Sequence, residues 1–323
     1  MTGYTSHDAL IICTRNRHHQ LAARIEEFRH FGELPTDILI VDSSEADDTE
    51  VLINSLAAGY PTGLHYLRTS SGLPFQRNCG INWVLQRPRI PEIIHFLDDD
   101  IVPRQDYFFK VKRLFGHSPE SIAIGGFDVN YDPKLNQTFL RRIFGIGSSK
   151  TGVILKSGIA IPPVPTQKLE EFQWLVGGMQ SFRTRIFDSE RFDSGLRMYG
   201  EDVDFYLRIR SLGKIHCSRE LPITHLYDPT NRDSYRNVCL YHDGVRWLFA
   251  VRYPHYVKHS RVWLAALALA GGEIGSYIAT GTRRHLQGAR GHLEFLVRLA
   301  KGKQVVQTNE RHSEEGLINR DGC

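Results

Sequence analysis

The chain has 323 residues, 41% hydrophobic and 24% charged, a globular composition long enough for one large domain with an extension or for two domains. Its five cysteines, Cys13, Cys79, Cys217, Cys239 and Cys323, form no C-x-x-C pair, which argues against a zinc cage or a disulfide framework and for a reducing cytoplasm. The net charge of +4 is a difference between unequal parts: residues 232–303 hold twelve Lys or Arg against four Asp or Glu, a surplus of +8 that leaves −4 for the remainder.

The opening "MTGYTSHDALIICTRNR" has a short apolar run with no basic stretch before it, so no targeting segment is expected. "ALIICTRNR" has the length of a strand, and "HHQLAARIEEFRHFG" has helical spacing with Gly32 as its stop. "DILIVDSSEADDTEVLINSLAAG" repeats strand, polar loop and helix; "GLHYLRTS" predicts a third strand, "PFQRNCGINWVLQR" a helix and "EIIHFLDDD" a fourth strand. This alternation predicts an α/β fold, a mostly parallel, Rossmann-like sheet with right-handed crossovers and helices on both faces. No G-x-G-x-x-G follows the first strand, and "GIGSSKTG" lacks the spacing of a phosphate-cradling Walker A loop; Gly145–Gly152 is expected to be a mobile loop.

In such sheets ligands bind beyond the carboxyl ends of the strands, which singles out Thr14, Arg15, Asp42 and the run Asp98, Asp99, Asp100. Three neighbouring carboxylates closing a buried strand repel one another, so a metal ion, a basic side chain or water has to compensate them. Farther along, "IAIGGFDVN" and "FQWLVGGMQSFRTRIF" are strand-like, and Gly177 and Gly178 mark either a β-bulge or a wall where a ligand approaches the backbone. "YGEDVDFYLRIRSLG" predicts a helix stopped by Gly213, with Glu201 and Asp202 in its first turn. The helix dipole favours acids there with or without a catalytic role.

In the basic part, "VWLAALALAGGEIGSYIATG" is interrupted by Gly271, Gly272 and Glu273, so it is expected to pack on the main domain or lie on an anionic membrane surface rather than to span one. No aromatic-basic recognition motif accompanies the charge surplus, and no nucleic acid partner is expected. The polar "QTNERHSEEGLINRDGC" is expected to be flexible. The domains expected are residues 1–230, a basic helical extension over 231–305 and a tail over 306–323.

"DILIVDSSEADDT", "RN" within "PFQRNCG", "FLDDDIVP", "LVGGMQSFRTRIF" and "GEDVDFYLRIRSLG" occur in the order seen in the family 2 inverting glycosyltransferases, and the chain resembles that family from Leu10 to Asp228. The resemblance implies the GT-A fold and transfer of one sugar from a nucleotide diphosphate sugar to an acceptor hydroxyl. It implies nucleotide-sugar contacts at Thr14, Arg15, Asp42, Arg77 and Asp98, with Asp42 accepting from the base and Asp98 near the ribose. It places Asp100 on a divalent cation, Mn²⁺ or Mg²⁺, bridging the diphosphate. Asp99 should then face the other side of an extended strand, where an amide or basic group must satisfy it.

By the same likeness Asp202 is the general base and Glu201 binds acceptor or orients its loop, with Gly177 and Gly178 in the sugar and acceptor pocket. His225 in "LPITHLYDP" is the candidate imidazole ligand of the metal, and His216 is its competitor. Processive members carry Gln-x-x-Arg-Trp, where this chain has "DGVRW" with Asp243 at the glutamine position; the expectation is a soluble or peripheral enzyme. The implied setting is bacterial polysaccharide, lipopolysaccharide or glycolipid synthesis in the cytoplasm or at the inner face of the membrane, with a UDP, dTDP or GDP sugar as donor and a saccharide or lipid-linked acceptor. Two alternatives stay open on the residues. "DDDIV" also fits a haloacid-dehalogenase-like phosphatase using Asp98 and Asp100. A nucleotide-sugar-binding protein without turnover would keep the same fold.

Overall fold

Short runs of five to seven residues form the strands of the N-terminal half of the sheet. The computed structural model describes residues 7–196, 199–226 and 233–303; the expected flexible tail, 306–323, lies outside them. β1 (Asp8–Thr14), α1 (His18–Phe28), β2 (Asp37–Asp42), α2 (Asp48–Ala57), β3 (Gly63–Arg68), α3 (Leu73–Leu85) and β4 (Ile93–Leu97) alternate as the periodicity predicts. β2 and β4 are buried at every position, as expected of strands covered on both faces. α1 ends at Phe28, four residues before Gly32, with Arg29 still in the right-handed region.

The next elements are β5 (Ile101–Pro103), α4 (Tyr107–His117), β6 (Ser121–Asp128), α5 (Phe139–Ile143), β7 (Val153–Ile154), β8 (Ala160–Ile161), β9 (Glu170–Glu171), β10 (Met179–Arg183), α6 (Glu201–Ile209) and β11 (Lys214–His225). Helices α7 (Tyr235–Arg252), α8 (His259–Thr280) and α9 (Arg283–Ala300) follow. The main sheet runs β3-β2-β1-β4-β10-β6-β11-β5, with β9 paired to β11. β1 pairs in parallel with both β2 and β4, and β2 with β3. β10 enters antiparallel between β4 and β6, β11 runs parallel to β6, and the edge strand β5 is antiparallel to β11. Pro103 is tolerated there because an edge strand leaves backbone positions without a ladder partner.

The chain divides into two compact units. Among the described residues the first takes in 7–131, 163–196 and 199–226, and the second 132–162 and 233–303. The helical extension therefore includes residues 132–162, which the sequence pattern leaves in the first domain. Three contacts join that segment to the helices: Lys258 N donates to Lys156 O (2.8 Å), Lys156 Nζ donates to His255 O (3.0 Å), and Gly158 lies against Arg246.

Within the second unit α8 is 22 residues long and, by length and composition, apolar enough to cross a membrane. The helix runs through Gly271, Gly272 and Glu273 without a break. Glu273 accepts from Tyr235 Oη (2.7 Å) and bonds His285 Nδ1 (2.7 Å), which removes its charge from the outer face. Asp243, at the position of the processive glutamine, is fully buried and holds Arg246 (2.7 Å) and His292 (2.6 Å), joining α7 to α9.

Candidate active site

Strand order reverses at β1, from which the chain proceeds to β2 and β3 on one side and to β4 on the other. At such a switch point the loops leave in opposite directions and open a crevice at the carboxyl edge. Pairing directions bring the C-terminal ends of β1, β2, β4, β6 and β11 to that edge, with the N-terminal ends of β5 and β10. Thr14, Asp42, Asp98, Gly178 and His225 meet there for topological reasons, although they are far apart in sequence.

Asp98–Asp100 form a turn between β4 and β5, not the continuation of a strand. Asp98 N donates to Gly178 O (3.1 Å), Ile101 N to Asp98 O (3.1 Å) and Leu226 N to Asp100 O (2.8 Å). The turn, rather than strand alternation, sends the three carboxylates apart to different sets of partners, with Arg17 shared by Asp99 and Asp100. Asp98 is partly exposed, 3.7 Å from Arg77 Nη2. Burial still raises its carboxyl, more than Arg77 offsets. Asp99 is buried and accepts from Thr14 Oγ1 (2.7 Å) and Arg17 Nη1 (2.9 Å). Burial nonetheless raises it to about 6. Asp100, buried, has His225 Nε2 at 3.3 Å and Arg17 Nη1 at 3.5 Å. The hydrogen bond to Asp100 is the main cause of an upward shift at His225.

Arg77 is among the largest fully buried side chains of the described residues. Its Nη1 donates to Glu201 Oε1 at 3.0 Å, and its guanidinium faces the rings of Phe192 (5.3 Å) and Phe96 (6.0 Å). Burial alone would lower it; the charges of Glu201 and Asp98 carry it above its ordinary range. A Cβ on Gly177 would sit 3.0 Å from Arg77 Nη2, and one on Gly178 would sit 2.6 Å from Asp98 Cγ. The pair is therefore neither a bulge nor a bare pocket wall. It is the space that admits the Arg77 and Asp98 side chains, and β10 begins only after it.

At the same backbone, Asp202 Oδ2 accepts from Gly177 N (3.2 Å) and its Oδ1 from Val203 N (2.7 Å). Asp202 is partly exposed. Burial, followed by the neighbouring charge of Glu201, raises its carboxyl to about 7. Such a group is ionised and still basic near neutral pH, the condition for a general base. Tyr199 and Gly200, just before α6, both have positive φ (71° and 91°). Among the described residues the other non-glycine with positive φ is Asn16 (55°), in the loop after β1. Both departures flank this edge, where local strain belongs to a site that the surrounding fold over-determines.

Several residues expected from sequence to contact nucleotide or acceptor are held by protein partners. Thr14 gives its hydroxyl to Asp99. Arg15 turns outward to Glu45 at 2.7 Å. Asp42 is fully buried, its oxygens accepting from Ser44 N (2.9 Å), Ser44 Oγ (2.5 Å) and Tyr66 Oη (3.1 Å). Arg77 and Glu201 bind each other, holding the first turn of α6 against α3. His216 bonds Ser121 Oγ at 2.7 Å at the start of β11, the opposite end from His225. Arg17, which bridges Asp99 and Asp100, was not singled out in sequence; "TRNR" holds two arginines, and only the turn into α1 selects the second. Gly213 admits Ile122, whose Cγ2 would be 2.5 Å from a Cβ there, and α6 ends earlier, at Ile209.

No group of three or more His, Cys, Asp or Glu among the described residues could hold a metal alone. Asp100 and His225 supply one carboxylate and one imidazole, a donor pair that fits a Mn²⁺ or Mg²⁺ ion whose remaining ligands are substrate phosphates and water. Asp98, partly exposed beside this pair, and Asp202 meet at the same Gly177–Gly178 backbone.

The profile of Glycosyl transferase family 2 matches residues 9–190, more than half of the chain. The chain belongs to glycosyl transferase family 2. No curated protein matches it. The solved structure of GalNAc-T7 with UDP, GalNAc and Mn²⁺ is similar at 14% identity and a TM-score of 0.54, covering 76% of this chain and 50% of that one. The mannosyltransferase PcManGT from Pyrobaculum calidifontis, in complex with GDP-Man and Mn²⁺, is similar at 15% identity and a TM-score of 0.56, covering 93% of this chain and 89% of that one. These likenesses establish the fold, GT-A. For this family 2 glycosyltransferase the phosphatase alternative falls away: Asp98 follows β4, whereas a phosphatase nucleophile of that kind follows the first strand of its domain.

Proposed function

We propose that this glycosyltransferase moves a single sugar from a nucleotide diphosphate sugar to an acceptor hydroxyl with inversion, in a metal-dependent reaction. The observation that carries the reading is that Asp202, bonded to Gly177 N, and Asp98, packed on Gly178, meet at one short backbone, with the Asp100–His225 pair beside Asp98. In this reading Asp98 faces the ribose, and Asp100 and His225 would hold the divalent cation. A cation bound there neutralises charge on the departing diphosphate. Asp202 takes the proton of the acceptor hydroxyl as its oxygen bonds to the anomeric carbon and the bond to the diphosphate breaks on the opposite face. Uracil and guanine are the bases favoured, since the similar structures contain UDP and GDP-Man. The acceptor is a saccharide or lipid-linked glycan of a bacterial surface polymer, reached in the cytoplasm or at the inner membrane face.

The test is thermal stabilisation by UDP, dTDP, GDP and ADP, each with and without Mn²⁺, followed by NMR of the product anomer from the donor so identified. Stabilisation by one diphosphate that requires the metal, then an inverted anomer, is the expected result. A retained anomer removes the base role of Asp202. Metal-dependent binding with neither transfer nor donor hydrolysis makes the protein a binder without turnover.

A further inference from the structure

The second unit exposes apolar side chains in two places. In and around α5, Leu135, Phe139, Leu140 and Ile143 are 53–73% exposed and Phe144 is 39% exposed. No residue of α5 is buried. On α8, Trp263, Leu267, Ile274 and Ile278 are exposed, Ile278 at 77%. At about 100° per residue these four fall within roughly 60° of one another around the helix, a single stripe. The buried side of α8 is formed by the small residues Val262, Ala265, Ala266 and Ala270, so its large side chains are the ones left outside. The two places are joined: Ser157 Oγ donates to Gly145 O, just after α5, and the neighbouring Lys156 O accepts from Lys258 N at the start of α8.

Charge selects the occupant. Residues 132–162 and 233–303 contain sixteen Lys or Arg against five Asp or Glu. Between Arg261 and Arg283 the one charged side chain is Glu273, and it is paired inward. Arg141 and Arg142 lie inside the apolar α5 segment, and Arg283 and Arg284 follow α8 directly. Apolar side chains with Trp263 and Tyr277 toward the two ends of the stripe, bordered by arginines, match the headgroup layer of an anionic bilayer, where aromatic and aliphatic groups enter the acyl boundary and cations meet lipid phosphates.

We propose that α5 and the outer stripe of α8 form a docking surface for an anionic lipid bilayer. The proposal goes beyond sugar transfer and does not depend on it, because it is measured without donor or acceptor. The experiment is co-sedimentation of the full chain with vesicles of phosphatidylcholine alone and of roughly seven parts phosphatidylcholine to three parts phosphatidylglycerol. It is run on the wild type, on Phe139→Ser/Leu140→Ser/Ile143→Ser, on Leu267→Ser/Ile278→Ser and on Arg141→Glu/Arg142→Glu. Apart from Arg141, which is partly buried and donates to Ile146 O, these positions are exposed, and unchanged circular dichroism with unchanged thermal midpoints shows that the variants fold.

The wild type is expected to bind the mixed vesicles at least tenfold more tightly than phosphatidylcholine, less so as salt rises, and each variant is expected to lose at least tenfold. Wild-type Trp263 should shift its emission to the blue on the mixed vesicles, an effect absent from Trp263→Phe. Binding to neither vesicle, or equal binding to both, overturns the proposal. So does vesicle binding that the apolar substitutions leave intact. A concentration-dependent dimer in light scattering, lost in the apolar variants while vesicle binding is absent, assigns the surface to a second copy instead.

Discussion

Arg77 and Glu201 stand 124 residues apart in the chain and 3.0 Å apart in the fold, both buried, with the glycine that precedes Gly178 lying against the guanidinium. This pair fastens the first turn of α6 to α3 behind the carboxyl edge of the sheet. Removing one partner of a buried pair strands the other, at a cost of about 3–5 kcal/mol. Arg77→Met leaves Glu201 and Asp98 without their cation and is expected to lose a comparable amount in urea unfolding. Glu201→Gln keeps an acceptor for Arg77 and should lose clearly less. Equal losses would show that Arg77 matters through packing on Phe96 and Phe192 rather than through charge.

In the reaction proposed above, Asp202 sets the acid limb of the activity. Its carboxyl, raised to about 7 by burial and by Glu201, must be ionised to accept a proton, so turnover should climb as pH rises through that value. Glu201→Gln removes the like charge, lowers the Asp202 carboxyl and should move the acid limb of the kcat profile to lower pH. Asp202→Asn should reduce kcat by about 10²–10⁴ while metal-dependent donor binding persists.

The same shift has a consequence for stability. Because the folded chain holds the Asp202 proton more tightly than the unfolded chain, this group's contribution is fully present below about pH 4, the ordinary aspartate value, and is lost as pH rises through about 7. Asp202→Asn imitates the protonated form. Its thermal midpoint relative to wild type should therefore be higher at pH 8 than at pH 5, a gain in stability at a site that activity keeps unfavourable. A difference independent of pH would place the proton elsewhere in the Glu201–Asp202 pair.

The sheet was legible because its strands are short apolar runs separated by helices of regular spacing, and β4 ends where three aspartates begin. Asp98 and Asp100 stand at a strand end, which sequence marks, whereas Asp202 and His225 are singled out by the family resemblance. Their partners could not be named from sequence. Arg17 and Arg77 are two among many arginines, and only the turn into α1 and the burial of α3 decide that they face carboxylates. Nor does sequence show that Gly177 and Gly178 are small for the sake of Arg77 and Asp98, since the close approach joins segments about 80 to 100 residues apart. Residues 132–162 carry no pattern that assigns them to the helical unit; the tie is a pair of backbone and lysine hydrogen bonds near Lys156.

Gly178→Ala separates the packing role of that glycine from a direct role in a pocket. An added Cβ would overlap Asp98, whose side chain is partly exposed and free to rotate outward. The fold should therefore lose little, about 1–3 kcal/mol for an overpacked contact, while nucleotide stabilisation falls sharply because Asp98 no longer faces the crevice. Gly177→Ala presses on the buried Arg77, which has no outward route, and is expected to destabilise more than Gly178→Ala in the same unfolding assay.

The Asp100–His225 contact predicts how metal dependence divides between two residues. Asp100 is buried between His225 and Arg17, so in the absence of a cation its charge is already matched, and a divalent ion has to compete with these partners. The donor pair alone is sparse, and a cation should bind weakly until a diphosphate completes its ligands. Mn²⁺ alone is therefore expected to shift the thermal midpoint little, and Mn²⁺ with the preferred nucleoside diphosphate much more than the sum of either alone. Asp100→Ala should abolish that synergy. His225→Ala should weaken it while leaving a remnant, since one carboxylate with phosphate oxygens still forms a hard-ligand site. Synergy that survives Asp100→Ala at full strength would move the cation to Asp98 or to substrate alone.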